Sequence, residues 1–243
     1  MDKIKFSGLE FKTLRKNDLL EEEKFLKFIV TVNAEFIVKA NNNNAFKNII
    51  NNNYATFDGQ IPYFLACLKN PKFNFDKLSG SDLIYDFCNM AKDKNKKVFL
   101  LGGYEKSNKN AIKTLRRRYN ISIDGFSPAY KTYPFEKSHD EAILKVIKEA
   151  NTDILFVGFG AIKQEFWIDQ HKDELENMGI KWVVGSGGTF EFVSGEIKRS
   201  PKFLQKIGLE GVFRLLMEPS KLRFQRLITS FGIFKYFIFD KKL

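Results

Sequence analysis

Short β-rich runs alternate with helical patterns through the middle of the sequence, and this alternation limits the possible folds more than any other feature. The run VFLLGG (98–103) indicates a buried strand that ends in a glycine turn. Helical segments separate it from ISIDGF (121–126), DILFVGFG (153–160) and IKWVVGSGG (180–188). Because strands that alternate with helices are typical of βαβ units, we predict an α/β fold with a parallel sheet.

Two further strands are predicted upstream, KFIVTVN (27–33) and YATFDG (54–59), and each ends in a polar residue. The tract 41–53 holds eight asparagines, and we interpret it as part of a helix and a loop. Ser138 and Glu141 form a capping-box pattern that predicts the start of a helix. These elements belong to one core, since the sequence contains no evident internal repeat.

The pattern changes to helices only after Pro201. An amphipathic helix is predicted over residues 202–219, and a second helix, rich in Phe and basic residues, over about 220–239. The apolar end of the second helix is too short to span a bilayer. We therefore predict a core over residues 1–200 and a helical appendage over residues 201–243.

Most of the net charge of +11 lies near the C-terminal end of the sequence. Residues 198–243 contain eleven Lys and Arg but only three Asp and Glu. A helix with aromatic side chains on one side and basic ones on the other suits a membrane interface. A helix packed on the core or on a partner subunit is the alternative. We predict that the appendage binds the membrane surface. The sequence is also compatible with a homo-oligomer.

The sequence has no apolar run long enough to span a bilayer, and the stretch 1–16 has no apolar signal-peptide core. We therefore expect a soluble or peripheral protein on the cytoplasmic side. Cys67 and Cys88 form no CxxC pair, and we interpret both as buried, reduced thiols.

Polar and glycine residues follow the predicted strands. Ligands of an open parallel sheet bind beyond the carboxyl ends of its strands, and glycine lets a backbone approach a phosphate closely while helix N-termini offer N–H groups. The residues at these ends are Thr31, Asn33, Asp58, Gly102, Gly103, Gly158, Gly160 and residues 185–189. Together they predict a nucleotide or diphosphate ligand.

Several common sites are missing from the sequence. VGFGAIKQE lacks the third glycine of the dinucleotide-binding fingerprint, and neither a Walker A motif nor a DxD pair occurs. His139 and His171 are the only histidines and fall in separate polar helices, where we expect them to be solvated. We therefore expect no metal site and no cofactor.

Asp58 is the best isolated candidate for a catalytic carboxylate. A carboxylate at the end of a strand and before a glycine can face a ligand as a general base. The alternative is an ordinary aspartate in a tight turn before Gly59.

The order of motifs along the chain decides between these two interpretations. TVN (31–33), FDGQ (57–60) and LSGSD (78–82) are followed by GFGAIKQEFW (158–167) and by GSGGTFEFVSGEIKRSPKFLQKIGLEGVFRLLMEPSKLRFQR (185–226). This arrangement resembles the WecG/TagA/CpsF family, the N-acetylmannosaminyltransferase-like enzymes of bacterial surface-polymer synthesis. The resemblance implies a Rossmann-like core with a C-terminal helical appendage.

The resemblance also implies an activity. It is the inverting, metal-independent transfer of an N-acetylated, mannosamine-type sugar from a UDP-sugar to an amino-sugar on undecaprenyl diphosphate, on the inner face of the bacterial plasma membrane. By the same resemblance Asp58 is the general base, and Thr31, Asn33 and Gln164 line the substrate pocket. Arginines of the appendage reach the donor diphosphate. The full predicted substrate-binding set is Thr31, Asn33, Gly158, Gly160, Lys163, Gln164, Glu165, Gly185, Gly187, Gly188, Arg214, Arg223 and Arg226.

The sequence departs from the family pattern at a few positions. Phe57 replaces the usual alanine before Asp58, Ile162 stands where proline is usual, and Glu191 replaces a common aspartate. Ser194 and Ser200 stand where small alanines are frequent. Phe57 and Glu191 would reshape the sugar or uridine pocket, so the donor sugar stays open.

Three other functions are alternatives to a glycosyltransferase. A nucleic-acid-binding protein would use the basic C-terminal region, but the sequence contains no known binding motif for it, and we expect no nucleic-acid partner. A nicotinamide-dependent oxidoreductase and a catalytically silent scaffold of the same family are the others.

Overall fold

The computed structural model describes residues 3–21, 24–72 and 74–239. The described residues form strands β1 (Lys3–Phe6), β2 (Leu9–Lys12), β3 (Lys27–Val32), β4 (Tyr54–Phe57), β5 (Val98–Gly102), β6 (Ile123–Phe126), β7 (Ile154–Gly158) and β8 (Trp182–Gly185). A 3₁₀ helix spans Lys16–Leu20. The α-helices are α1 (Ala34–Asn41), α2 (Asn44–Asn52), α3 (Gln60–Lys69), α4 (Gly80–Lys94), α5 (Glu105–Tyr119), α6 (Lys137–Ala150), α7 (Lys163–Gln170), α8 (Lys172–Asn177), α9 (Thr189–Ser194), α10 (Lys202–Lys206), α11 (Glu210–Met217), α12 (Lys221–Phe231) and α13 (Ile233–Ile238).

The α/β class, the mostly parallel strands and the helices after Pro201 confirm the predicted fold class. The chain divides into two compact units. The first consists of Met1–Arg15, Val30–Ser79 and Arg199–Leu243, and the second of Lys16–Ile29 and Gly80–Lys198.

The strand order in the first unit is β1-β2-β4-β3. β1 and β2 pair antiparallel, with Phe6 opposite Leu9. Ser7 and Gly8 connect them with φ angles of 49° and 76°, the pattern of a two-residue type I′ turn. β2 pairs with β4 in parallel. The hairpin was not predicted, although KIKF and LEFK alternate polar and apolar residues on either side of a glycine turn.

Helices of the C-terminal region pack within the first unit. α12 and α13 both contact α1. Gly232 separates them, and a Cβ atom at this position would lie 2.9 Å from Cγ2 of Val38. Ile233 is buried, and the Phe237 ring lies 6.4 Å from that of Phe6. The single helix predicted over about 220–239 is two helices in the structure, α12 and α13, and Gly232 between them lies against Val38 of α1.

The division between the units falls within β3, whose residues 27–29 belong to the second unit and 30–32 to the first. Among its described residues, the second unit contains only parallel strand pairs, in the order β3-β8-β7-β5-β6. All five residues of β5 are buried, as expected of parallel strands that are covered on both faces. Phe87 on α4 packs edge-on against Phe156 and Trp182. The carboxyl ends of β5, β7 and β8 therefore lie at one edge of this unit.

Three smaller predictions are wrong. Ser138 lies inside α6, whose N-cap is Glu136 without a side-chain hydrogen bond, so no capping box forms. Cys88 is buried, and burial raises the pKa of its thiol to about 12, but Cys67 is only half-buried. His171 is buried rather than solvated.

None of the helices within residues 3–21, 24–72 and 74–239 is long and apolar enough to cross a membrane. Lys241 and Lys242, counted in the basic region above, lie outside the described residues.

Candidate active site

Asp58 lies directly after β4, in the turn that leads into α3. Its backbone N–H donates to the carbonyl of Val32 at 2.9 Å, which joins the ends of β3 and β4. Gly59 adopts φ = 92° and is the N-cap of α3, and no side chain caps this helix. The N-cap of α3 is therefore Gly59 and not Asp58.

Thr31 and Asn33 lie at the end of β3. Thr31 is buried. The Asn33 side chain accepts a hydrogen bond from the Phe36 N–H at 2.9 Å and so caps α1. The side-chain oxygen of Asn33, a predicted pocket residue, therefore has a structural role, since it satisfies a free N–H group at the start of α1.

Glu35, in the first turn of α1, is a charged residue that the sequence did not single out. Its side chain is only 9% exposed. Its Oε1 lies 2.6 Å from Nζ of Lys39, and its Oε2 lies 3.7 Å from Nε of Arg226. A buried carboxylate needs such cationic partners to offset its lost hydration. Glu35 therefore ties α12 to α1 beside the end of β3.

The three predicted arginines lie on the helices that follow Pro201. Arg214 belongs to α11, and Arg223 and Arg226 belong to α12. Arg223 forms an ion pair with Glu218. Burial, and then the positive charge of Arg223, lower the pKa of the Arg214 guanidinium.

Acidic neighbours act on Arg214 in the opposite direction. Glu210 and Asp58 favour its charged form, while Arg226 adds a smaller opposing effect. Asp58 and the three arginines all belong to the first unit, and the charges of Asp58, Arg223 and Arg226 act on the Arg214 guanidinium. A carboxylate beside several guanidinium groups suits a substrate that carries both a reacting hydroxyl and a diphosphate.

Two glycines at the strand ends of the second unit have a packing role. A Cβ atom at Gly103 or Gly158 would lie 2.8 Å from the Phe190 ring. Real Cβ atoms do not approach other atoms so closely, so these positions need glycine whether or not a ligand binds. The Gly103 N–H also donates to the Gly158 carbonyl at 2.9 Å.

The glycine loops after β7 and β8 are held by one side chain. The Gly160 and Gly187 N–H groups both donate to Oε1 of Gln164, each at 3.1 Å. The N–H groups of Gly103, Gly160 and Gly187 therefore have hydrogen-bond partners within the protein. What Gly160 and Gly187 offer is space, because a Cβ atom on either would meet nothing within 4 Å.

Gln164 and Glu165 are almost completely buried, with 2% and 0% exposure. Nε2 of Gln164 donates to Oε1 of Glu165 at 2.7 Å.

Two further predicted residues lie at the starts of helices. Lys163 begins α7, and its Nζ lies 5.2 Å from the centre of the Tyr130 ring. Gly188 is the N-cap of α9.

The whole described chain fits one family of enzymes. The model of the glycosyl transferase WecG/TagA/CpsF family matches residues 3–243. The chain belongs to this family. The prediction of a glycosyltransferase is confirmed, and the match favours it over the nucleic-acid-binding and nicotinamide-dependent alternatives. As a WecG/TagA/CpsF glycosyltransferase, the protein uses a sugar donor and an acceptor.

Ile162 stands where proline is usual in the family, and the peptide bond between Ala161 and Ile162 is cis.

The two side chains that surround His171 are Trp167 and Asp140. Nε1 of Trp167 donates to Asp140 at 2.8 Å, and His171 lies 3.5 Å from the same carboxylate. His171 is buried because Trp167 and Asp140 pack around it. Within the described residues, no group of three His, Cys, Asp or Glu side chains could hold a metal ion.

Proposed function

We propose that this glycosyltransferase moves an N-acetylated, mannosamine-type sugar from a UDP-sugar to an amino-sugar on undecaprenyl diphosphate. The single observation that carries this proposal is the match of the WecG/TagA/CpsF family model over residues 3–243. The charges of Asp58 and of neighbouring arginines that act on Arg214 support it. The donor, the prenyl diphosphate and the leaving UDP all carry phosphates, which guanidinium groups bind with charge-assisted hydrogen bonds.

The proposed reaction is a single displacement. Asp58 accepts the proton of the acceptor hydroxyl while that oxygen attacks the anomeric carbon from the face opposite UDP. The new carbon–oxygen bond forms as the bond to the diphosphate breaks, and UDP leaves with the electron pair. The configuration at the anomeric carbon is therefore inverted.

The negative charge that grows on the leaving diphosphate needs a cation. We assign this role to the arginines, since the sequence has no DxD pair to hold a metal. Preorganised charges of this kind stabilise a transition state without reorganising during the reaction. The proposed transfer is metal-independent for this reason.

Exposed apolar side chains of the C-terminal helices support a lipid-linked acceptor. The exposed apolar residues of α10–α13 are Phe203, Ile207, Leu209, Leu216, Met217, Leu222, Phe224, Ile228, Phe231, Phe234, Ile238 and Phe239. Exposed apolar patches of this extent mark interaction sites. Lys202, Lys206, Lys221 and Lys235 are exposed among them, and basic residues near an anionic leaflet contribute about 1 kcal/mol each. We therefore propose a peripheral location on the inner face of the plasma membrane.

Screening UDP-sugars against a short-chain prenyl-diphosphate-linked amino-sugar tests the proposal. UDP release and product mass are measured for each donor. We expect release above background with UDP-N-acetylmannosamine or a close epimer, and a product of inverted configuration. Transfer from a non-uridine donor alone, or retention of configuration, would show that the proposal is wrong.

A further inference from the structure

We infer that Gln164 and Glu165 are positioning residues, which hold the two glycine loops after β7 and β8 in place without touching the substrate. This inference rests on the proposed function insofar as the loops bind part of a substrate. The carboxyl ends of parallel strands, where both loops lie, are the usual ligand sites of such sheets.

The hydrogen bonds of Gln164 are largely committed within the protein. A side-chain amide oxygen has two lone pairs, and an amide nitrogen has two N–H groups. Both lone pairs of Oε1 are occupied by the Gly160 and Gly187 N–H groups at 3.1 Å. One N–H of Nε2 is given to Glu165 at 2.7 Å. With 2% of its surface exposed, Gln164 has little left to offer a substrate.

Glu165 fixes which way the Gln164 amide points. Its Oε1 accepts from Nε2, and a carboxylate cannot donate. A flipped Gln164 amide would place its oxygen against the carboxylate and its NH₂ group against the Gly160 and Gly187 N–H groups. Both contacts would be repulsive, so the buried carboxylate selects the orientation that joins the loops.

Gly185 allows this pair to fit beneath the strand end. A Cβ atom there would lie 2.6 Å from Oε1 of Glu165 and 3.0 Å from Nε2 of Gln164. Gly185 was predicted to bind the substrate directly. Its contacts with Gln164 and Glu165 give a second reason for glycine at this position, because a larger residue would leave no room for the pair.

Exchanging the two side chains tests the inference. In the double variant Gln164→Glu/Glu165→Gln, one oxygen of the new carboxylate can accept from both glycine N–H groups, and its other oxygen can accept from the new amide. The pattern of hydrogen bonds is kept while the chemical identity of each residue changes. A residue that binds substrate through its own amide would not tolerate this exchange.

The first measurement is hydrogen exchange at the Gly160 and Gly187 amides, which does not depend on activity. We expect Gln164→Ala and Gly185→Ala to accelerate exchange at both amides, and the double variant to restore protection. Gln170→Ala is the matched control, because Gln170 lies exposed at the other end of α7 and its Oε1 accepts a hydrogen bond from the Tyr133 hydroxyl. Unchanged exchange in Gln164→Ala would overturn the inference.

The second measurement is kcat and KM for the UDP-sugar. Misplacement of a binding loop can cost about 100-fold in rate, and we expect a loss of this order in Gln164→Ala with recovery in the double variant. Restored exchange protection without recovered activity would mean that Gln164 contacts the substrate, and would overturn the inference. If the unsubstituted enzyme transfers no UDP-sugar, the proposed function fails, while the exchange experiment still decides the role of the pair.

If the double variant does not fold, Gln164→Glu alone gives the answer. Its two carboxylates would share a proton at low pH, and the protonated one would then donate to the other as Nε2 does now. Protection of the glycine amides should therefore rise as the pH falls in this variant. Protection that is equally poor at every pH would contradict the inference.

Discussion

Nε of Arg226 lies 3.7 Å from Oε2 of Glu35, and this ion pair joins α12 to the first turn of α1. Glu35 follows Asn33 by two residues, so the contact fixes α12 beside the end of β3. Arg226 therefore has two neighbours of opposite character, a buried carboxylate on α1 and the guanidinium of Arg214.

Asp58→Asn should fold normally and lose most transferase activity, because an amide cannot accept the acceptor's proton. General-base catalysis contributes about 10²–10⁴ in rate. The measurement is kcat on a soluble acceptor, with far-UV circular dichroism as a check of folding. Asp93→Asn, at an exposed position on α4, is the control. A loss below about fivefold would remove Asp58 from the role of base.

Arg223→Ala should raise the donor KM or lower kcat by about tenfold or more, since a hydrogen bond to a charged group is worth about 1.5–3 kcal/mol. Glu218→Gln separates this effect from loss of the ion pair, because it leaves the arginine in place. Steady-state kinetics of UDP release are compared for both variants. Equal losses in the two would mean that the ion pair, and not diphosphate binding, explains the effect.

EDTA should leave the rate of transfer essentially unchanged, because we assign charge stabilisation to arginines. The measurement is UDP release before and after extensive chelation. Complete inhibition that Mg²⁺ or Mn²⁺ reverses would contradict this prediction.

Phe224→Ser combined with Phe231→Ser should weaken co-sedimentation with anionic liposomes while the activity on a soluble acceptor persists. Both rings are more than half exposed, so their removal costs little folding free energy. Phe25→Ser, at another exposed site, should bind liposomes like the unsubstituted protein. Unchanged binding of the double variant would show that these rings do not meet the membrane.

Ile233→Ala should lower the free energy of unfolding by about 2–5 kcal/mol, the usual cost of removing a buried isoleucine side chain. Ile233 is 1% exposed, whereas Ile238 in the same helix is 69% exposed. Ile238→Ala should therefore change stability by only about 0.5 kcal/mol or less. Urea unfolding of the two variants is compared, and equal midpoints would mean that α13 does not pack on α1 in solution.

β5, β7 and β8 could be predicted because each is a continuous apolar run that ends in glycine. Other features depend on partners that are distant in sequence. Gly232 needs to be glycine because Val38 lies against it, and His171 is buried because Asp140 and Trp167 pack around it. No local pattern contains that information.

Among the candidate site residues, some could likewise be predicted from local motifs, while the role of others depends on partners that are distant in sequence. Asp58 and the arginines could be named from the order of motifs, whereas the partnership of Glu35 with Arg226 depends on how α12 packs on α1. The sequence also identified Gln164, Gly160 and Gly187, but not the hydrogen bonds between them. The two glycine contacts of Gln164 lie 4 and 23 positions away, so its structural role could be recognised only in the folded chain.

The first unit is assembled from three separate stretches, and its last stretch begins at Arg199. A ribosome finishes Asp58 early but adds Arg214, Arg223 and Arg226 only after the whole of Gly80–Lys198 has been made. A nascent chain therefore carries its carboxylate without the guanidinium groups for most of its synthesis. If Asp58 and these arginines have the proposed roles, charge neutralisation of a bound diphosphate becomes available only near the end of translation, and an interrupted chain has the proposed base without the cations that would hold the leaving group.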